Sequence, residues 1–234
     1  MNKLSLTTVV ASVALVLAVP AHSAEKEFTT KIAIDAWFPD GKVGSKDNAV
    51  RDNDVDASQA FSIAFEHPYP ILPNVKVRYT PVKADRFEYD QIDYTGYYKL
   101  LDTNGLQFDV GLTLTQFANG EFNKGGSVSK DPSQPADQSF SETAMNMYAD
   151  ASMHIPNTNF HIFGQYDFGS SSDTRTMDGQ AGVKYILPVD ETVDVEFKLG
   201  YRVMDHEFGY FEGFDSDQAN VMVDGWFGGL SFDF

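Results

Sequence analysis

From Thr30 to the carboxyl terminus, apolar and polar residues alternate with a period of two, and no segment carries the 3.6-residue period of an amphipathic helix. The clearest stretch is Leu106–Thr115, where Leu106, Phe108, Val110, Leu112 and Leu114 alternate with Gln107, Asp109, Gly111, Thr113 and Thr115. Four such segments precede it: Thr30–Phe38, Ala57–Glu66, Val75–Lys83 and Tyr89–Leu101. Five follow: Thr143–His154, Asn159–Gly169, Thr176–Leu187, Thr192–Met204 and the terminal Asp224–Phe234. In the last, Trp226, Gly228, Leu230, Phe232 and Phe234 share one parity, with Gly229, Ser231 and Asp233 on the other and Phe227 as the exception. Because successive side chains of a strand point to opposite faces, each segment reads as a strand with one apolar and one polar face. Ala57–Glu66 and Val75–Lys83 alternate least clearly, so eight or twelve strands stay open beside ten.

The connections are sorted by length. Pro68–Asn74, Asp102–Gly105, Ile155–Thr158 and Pro188–Glu191 are short, and the last three carry Asn-Gly, Pro-Asn and Pro-x-Asp turn chemistry. The alternate connections Pro39–Asp56, Asn119–Glu142, Ser170–Arg175 and Asp205–Asn220 are mostly longer and polar; Asp85–Glu88 is the short exception. A soluble sandwich has no reason to sort its loops this way. A barrel inserted from one side of a membrane does, with short periplasmic turns, longer outer loops and an even strand count that returns both termini to the periplasmic side. The predicted fold is therefore an all-β, transmembrane, antiparallel up-and-down β-barrel over residues 25–234.

Residues 1–24 stand apart. Lys3 precedes the apolar run Val9–Val19, which Pro20 and the small residues Ala21, Ser23 and Ala24 end. A run this short reads as a cleaved secretory signal peptide rather than a membrane span. No long apolar run follows, which excludes a polytopic helical membrane protein. The chain has no cysteine, so it forms no disulfide, thiol nucleophile or cysteine-ligated metal site. Lys and Arg number 17 against 34 Asp and Glu, a formal net charge of −17, and loss of residues 1–24 removes only Lys3 from that balance. Such acidity argues against nucleic acid as a partner, since phosphate binding needs clustered bases.

The signal, the alternation, the loop asymmetry and the terminal aromatic together resemble small Gram-negative outer-membrane β-barrel proteins, similar in kind to OmpW- and OmpA-type barrels and to uncharacterised outer-membrane barrel families. The resemblance covers the whole mature chain. It implies residence in the bacterial outer membrane, with outer-membrane lipid and lipopolysaccharide as surroundings. It also implies a folding route through periplasmic chaperones and the barrel-assembly machinery, with Trp226, Leu230, Phe232 and Phe234 as the assembly signal. It implies no reaction.

If the apolar parity faces lipid, the other parity lines the lumen. The lumen candidates are Lys31, Asp35, Lys76, Arg78, Asp93, Lys99, Asp109, Asp150, Asp167, Asp178, Lys184, Asp194, Glu196, Lys198 and Arg202, joined by Glu66 and Asp233. Both signs of charge in a narrow lumen fit either a packed, ion-paired interior that closes it or a narrow, weakly cation-preferring pore. His154 and His161 flank one short turn without a metal-ligand spacing. Asp52-Asn-Asp-Val-Asp56 starts like a calcium loop, but Ala57 and Ile63 stand where that loop needs Gly and Glu. The last loop, Asp205–Asp217, is acidic and aromatic. There is no G-x-S-x-G, and His206 with Asp205 or Asp217 is the nearest match to the rim acids and histidine of an omptin-type protease. The expected function is a structural or narrow-pore outer-membrane barrel that is not an enzyme and holds no cofactor or metal. The alternatives are a surface adhesion module acting through the long acidic loops, or a lipid-modifying or proteolytic barrel enzyme.

Overall fold

The computed structural model describes residues 28–234 other than 46–47, 86, 104, 124–136, 171–173, 191 and 209–218. The segment read as a signal peptide, residues 1–24, lies outside the described residues. The strands are β1 (Thr29–Ser45), β2 (Asn48–Asp54), β3 (Ser58–Glu66), β4 (Asn74–Lys83), β5 (Phe87–Asp102) and β6 (Leu106–Asn123). They continue with β7 (Asp137–His154), β8 (Phe160–Ser170), β9 (Thr174–Pro188), β10 (Asp194–Phe208) and β11 (Ala219–Asp233). All pairings are antiparallel; from β3 to β11 each strand pairs with the next in sequence, and β11 pairs with β1 to close the ring. β2 and β3 both pair with β1, over its far and near halves respectively. They form one stave interrupted at Val55–Ala57, so the eleven strands make a ten-stave barrel.

The seam is continuous to the chain end. Lys31 faces Asp233 and Phe38 faces Trp226, and Thr30 exchanges two backbone hydrogen bonds with Phe234, at 2.7 and 3.0 Å. Closure removes the exposed edges that an open sheet would leave. The short turns, the start of β1 and the carboxyl terminus share one end, here the terminus end; the other is the loop end. Asx and hydroxyl chemistry builds the turns. Asp190 accepts the Thr192 and Val193 amides at 2.8 and 2.9 Å and the Thr192 hydroxyl at 3.0 Å, which holds its carboxyl below the usual carboxylate range. His67 Nδ1 accepts the Tyr69 amide at 3.2 Å and His67 Nε2 bonds Pro73 O at 3.1 Å, tying down the Pro68–Pro73 turn. In β6 the register slips between Phe117 and Gly120 at a bulge where Asn119 takes φ 52°, a left-handed conformation that asparagine tolerates.

Several strands run well past their expected ends. Pro39–Asp56 is not a loop: β1 continues to Ser45 and β2 occupies Asn48–Asp54. Ends of β6 and β7 take up much of Asn119–Glu142, and β10 and β11 shorten Asp205–Asn220. The physical reason is that the alternation inverts along the staves. Near the terminus end the outward parity is apolar, as in Ile92, Tyr94, Tyr98 and Leu100 of β5 or Phe197 and Leu199 of β10, all on the outward face. Toward the loop end the outward positions become Glu88 and Asp90, Asp205 and Glu207, Asp40 and Lys42, and Asp224, while the inward ones become Phe87 and Tyr89, Met204 and Phe208, Trp37, and Val221 and Val223. A single-parity reading loses the strand where the two faces exchange character. On β5 the apolar outer band spans nine residues, about 20 Å along the barrel axis at the usual rise and tilt of a membrane barrel.

Candidate functional site: the lumen

The lumen is built in three layers. At the loop end an apolar plug is contributed by nearly every stave. Trp37 is 1% exposed and Phe117 0%, with Val82, Phe87, Tyr89, Met204, Phe208, Val221, Val223 and Phe227 equally buried. Phe117 lies edge-on to Tyr89 at 5.6 Å and to Phe208 at 5.0 Å, the geometry aromatic quadrupoles prefer. Phe227, the misplaced aromatic of the terminal strand, belongs to this plug and meets Phe163 at 6.3 Å.

Beneath the plug lies an ionic cluster. Arg202 grips Asp178 in a two-pronged contact, Nε to Oδ1 at 2.9 Å and Nη2 to Oδ2 at 2.6 Å. Arg78 reaches Asp178 at 2.6 Å, Asp93 at 2.8 Å and Asp167 at 3.4 Å. Neutral donors satisfy the remaining carboxylate oxygens: Thr115 to Asp93 at 2.7 Å, Thr113 to Asp167 at 2.6 Å, Gln165 to Asp167 at 3.0 Å, and Gln91 to Asp93 and Asp178. The Arg202 guanidinium lies 5.2 Å from the Trp37 ring and donates to Thr80 at 3.2 Å, joining cluster to plug. These groups come from β4, β5, β6, β8, β9 and β10, so the cluster ties together staves remote in sequence. Charges so deeply buried are tolerable only when paired and fully hydrogen-bonded.

Below the cluster, toward the terminus end, is a polar cavity of about 140 Å³. Here Lys198 meets Asp35 at 2.7 Å, Lys184 meets Glu196 at 3.3 Å, Lys31 meets Asp233 at 3.1 Å, and Lys99 meets Glu66 at 2.6 Å. Two inward glycines make the layer possible. Gly229 stands between Asp35 and Lys198 on adjacent strands, and a Cβ there would lie 1.8 Å from Asp35 Oδ1. Gly111 stands between Tyr97 and Tyr148, whose rings meet over it at 5.7 Å; a Cβ there would lie 2.8 Å from Tyr97 Cβ.

The structure thus places Arg78, Asp93, Asp167, Asp178 and Arg202 together in the cluster. Lys31, Asp35, Lys76, Asp109, Asp150, Lys184, Glu196 and Lys198 line the cavity. Lys99 and Asp194 stand at its terminus-end rim, Lys99 reaching inward to Glu66 and Asp194 opposite Asp233. Trp226 and Phe232 lie on the outer face. His154 and His161 face each other across β7 and β8 with rings 5.0 Å apart, and His154 Nε2 bonds Thr158 O at 2.6 Å. Among the described residues no three His, Asp or Glu gather in a metal-holding group.

His206 is not at the outer rim. It is 1% exposed inside the barrel between Phe117 and Gln91, with Nε2 3.2 Å from Gln91 Oε1. Asp205 sits on the opposite face of β10, and Asp217 lies outside the described residues. The plug aromatics went unread in the sequence, whereas Thr113 and Thr115 stood on the lumen parity without being named among its candidates. The available signal for the plug was parity opposite to Glu88, Asp90, Asp205 and Asp224.

No protein-family model and no curated protein sequence matches the chain. Among solved structures, the chain is similar to the Neisserial surface protein A, at 15% identity over 90% of this chain and 98% of that one, with a TM-score of 0.36. It is also similar to the translocator domain of the autotransporter NalP from Neisseria meningitidis, at 11% identity over 97% and 94% with a TM-score of 0.44. A third similar structure is the beta domain of the Bordetella autotransporter BrkA, at 10% identity over 88% and 98% with a TM-score of 0.48.

Proposed function

We propose that this chain is an outer-membrane β-barrel with a closed lumen, a structural component of the envelope and not a pore or an enzyme. The observation that carries the reading is the stack of an aromatic plug on a buried, ion-paired cluster, which leaves the loop-side lumen filled with buried side chains. The outer surface supports the membrane part. Exposed large apolar residues such as Ile34, Phe38, Leu112, Met147, Phe197 and Trp226 ring the terminus-side half, and an apolar face that wide is stable against lipid and not against water. The inversion of pattern supports an orientation in which the loop-side half, polar outside and apolar inside, projects beyond the bilayer like a small soluble barrel. On this reading the belt contacts outer-membrane lipid and lipopolysaccharide, and the terminal strand with Trp226, Leu230, Phe232 and Phe234 is what periplasmic chaperones and the assembly machinery engage.

The test is planar-bilayer recording of the refolded mature chain, with heat-modifiable gel migration as proof of folding. A folded barrel that gives no conductance steps is the expected result. Discrete cation-selective steps would make the lumen a pore and overturn the closed reading.

A further inference from the structure

Pairing off the charges in the terminus-side cavity leaves a remainder. Lys31, Lys184 and Lys198 each have a carboxylate partner. Lys76 has none within 4 Å among the described residues; its Nζ bonds Gln165 Oε1 at 2.6 Å and lies 5.5 Å from the Tyr148 ring. Arg78 uses Nε and Nη2 on the cluster, but its Nη1, buried in a residue 5% exposed, has no partner. Lys76 and Arg78 are two apart on β4 and therefore point the same way into the cavity, which both line.

The anionic remainder is stranger. Asp109 and Asp150 face each other directly across β6 and β7, and both line the cavity. Among the described residues neither has a cationic group within 4 Å. Like charges directly opposite on a sheet repel; Lys76, Lys184 and Lys31 act on Asp150 and Lys99 and Lys31 on Asp109, but only from beyond 4 Å, so a cation seated between the two carboxylates would relieve the pair. The Tyr97 and Tyr148 rings stand beside them, joined across Gly111, and aromatic faces also favour an organic cation. The unmet needs of the cavity are thus one anionic group at Lys76 and one ammonium at Asp109 and Asp150.

We propose that the cavity binds a small amino-acid zwitterion, its carboxylate on Lys76 and its ammonium between Asp109 and Asp150. At about 140 Å³ the space takes a molecule of glycine or alanine size. Access is from the terminus end, where the Lys31 and Lys99 side chains are about one-third exposed, because the plug fills the other side. The inference goes beyond the closed-barrel reading and uses it only for the side of entry.

The test is two-dimensional amide NMR of the refolded mature barrel in micelles, titrated at constant ionic strength with glycine, acetate, methylammonium and magnesium chloride in turn. Glycine should shift the amides of Gly111, Tyr148 and Gln165 saturably, with acetate and methylammonium each weaker by about tenfold or more, the usual cost of losing one charge-assisted contact. Asp150→Asn and Lys76→Met should each weaken glycine by a similar factor. If either variant fails to fold, the wild-type series still decides. A linear or absent response to glycine overturns the proposal, and so does an equal response to methylammonium or magnesium alone, which would mark a cation site only. Binding is read in micelles and closure in bilayers, so a conducting barrel that binds glycine and a silent one that does not are distinct outcomes.

Discussion

Asp178 is the keystone of the ionic cluster, and its replacement gives the sharpest test of how the lumen is held. It is the one carboxylate bound by both arginines: Arg202 through two contacts at 2.9 and 2.6 Å and Arg78 at 2.6 Å. In Asp178→Ala, Arg78 keeps Asp93 and Asp167. Arg202 keeps only the Thr80 hydroxyl and the Trp37 face, with no other carboxylate within 4 Å among the described residues. Leaving one member of a buried pair uncompensated costs about 3–5 kcal/mol, or roughly two to nearly four orders of magnitude in the folding equilibrium. Removing both charges in Asp178→Ala/Arg202→Met discards the uncompensated cation. The double variant should therefore be distinctly more stable than the sum of the two single changes. Reversible urea unfolding in lipid vesicles, followed by tryptophan fluorescence and run as a double-mutant cycle, measures this coupling. Strictly additive losses, or a single-variant loss below about 1 kcal/mol, the value of an exposed pair, would show that the cluster is wet and that the lumen is not sealed by it.

Three further outcomes follow from the same geometry. Phe117→Ala, at a position 0% exposed and in ring contact with Tyr89, His206 and Phe208, should lower stability by about 3–5 kcal/mol through the cavity it leaves, read by the same unfolding assay. Deleting Phe234 removes the Thr30–Phe234 rung of the closing seam; the folded, heat-modifiable form should appear more slowly while export continues, and an unchanged assembly rate would refute the role given to the terminal residue. Asp190, whose carboxyl is lowered first by the Thr192 amide bond, should show a carbon-detected NMR titration midpoint below the ordinary value of about 3.9. Because the folded-state value is depressed, its support of the β9–β10 turn is present at neutral pH and is lost as pH falls through that midpoint, so amide exchange at Val193 should quicken there and not above it.

The terminus-side half of the barrel was legible from parity because there the outside meets apolar surroundings and the inside meets charge. Leu106–Thr115 and Thr192–Met204 show this plainly, and the same rule put Arg78, Asp93 and Arg202 on one face. The loop-side half was not legible, for a reason the residues themselves supply. At Phe87–Asp90, Met204–Phe208 and Val221–Asp224 the apolar residues turn inward and the acids outward, so one continuous strand presents two opposite patterns. The eye reads the point of exchange as a strand end, and Glu207 and Phe208 as loop. β2 was hidden differently: in Asn48–Asp54 the two apolar residues, Ala49 and Val50, are adjacent and do not alternate with polar ones, and only the pairing with β1 makes it a strand. Which acids share Arg78 could not be read at all, since Asp93, Asp167 and Asp178 come together only when the ring closes.

The chain has two tryptophans, and they sit on opposite faces. Trp226 is 63% exposed on the outer belt, whereas Trp37 is 1% exposed inside the lumen against Arg202. Quenching by brominated acyl chains in vesicles, applied to Trp37→Phe and Trp226→Phe variants, tests the membrane-spanning, closed-lumen account most directly. The account predicts strong quenching where Trp226 alone remains and little where Trp37 alone remains. An unquenched Trp226, or equal quenching of both, would contradict it.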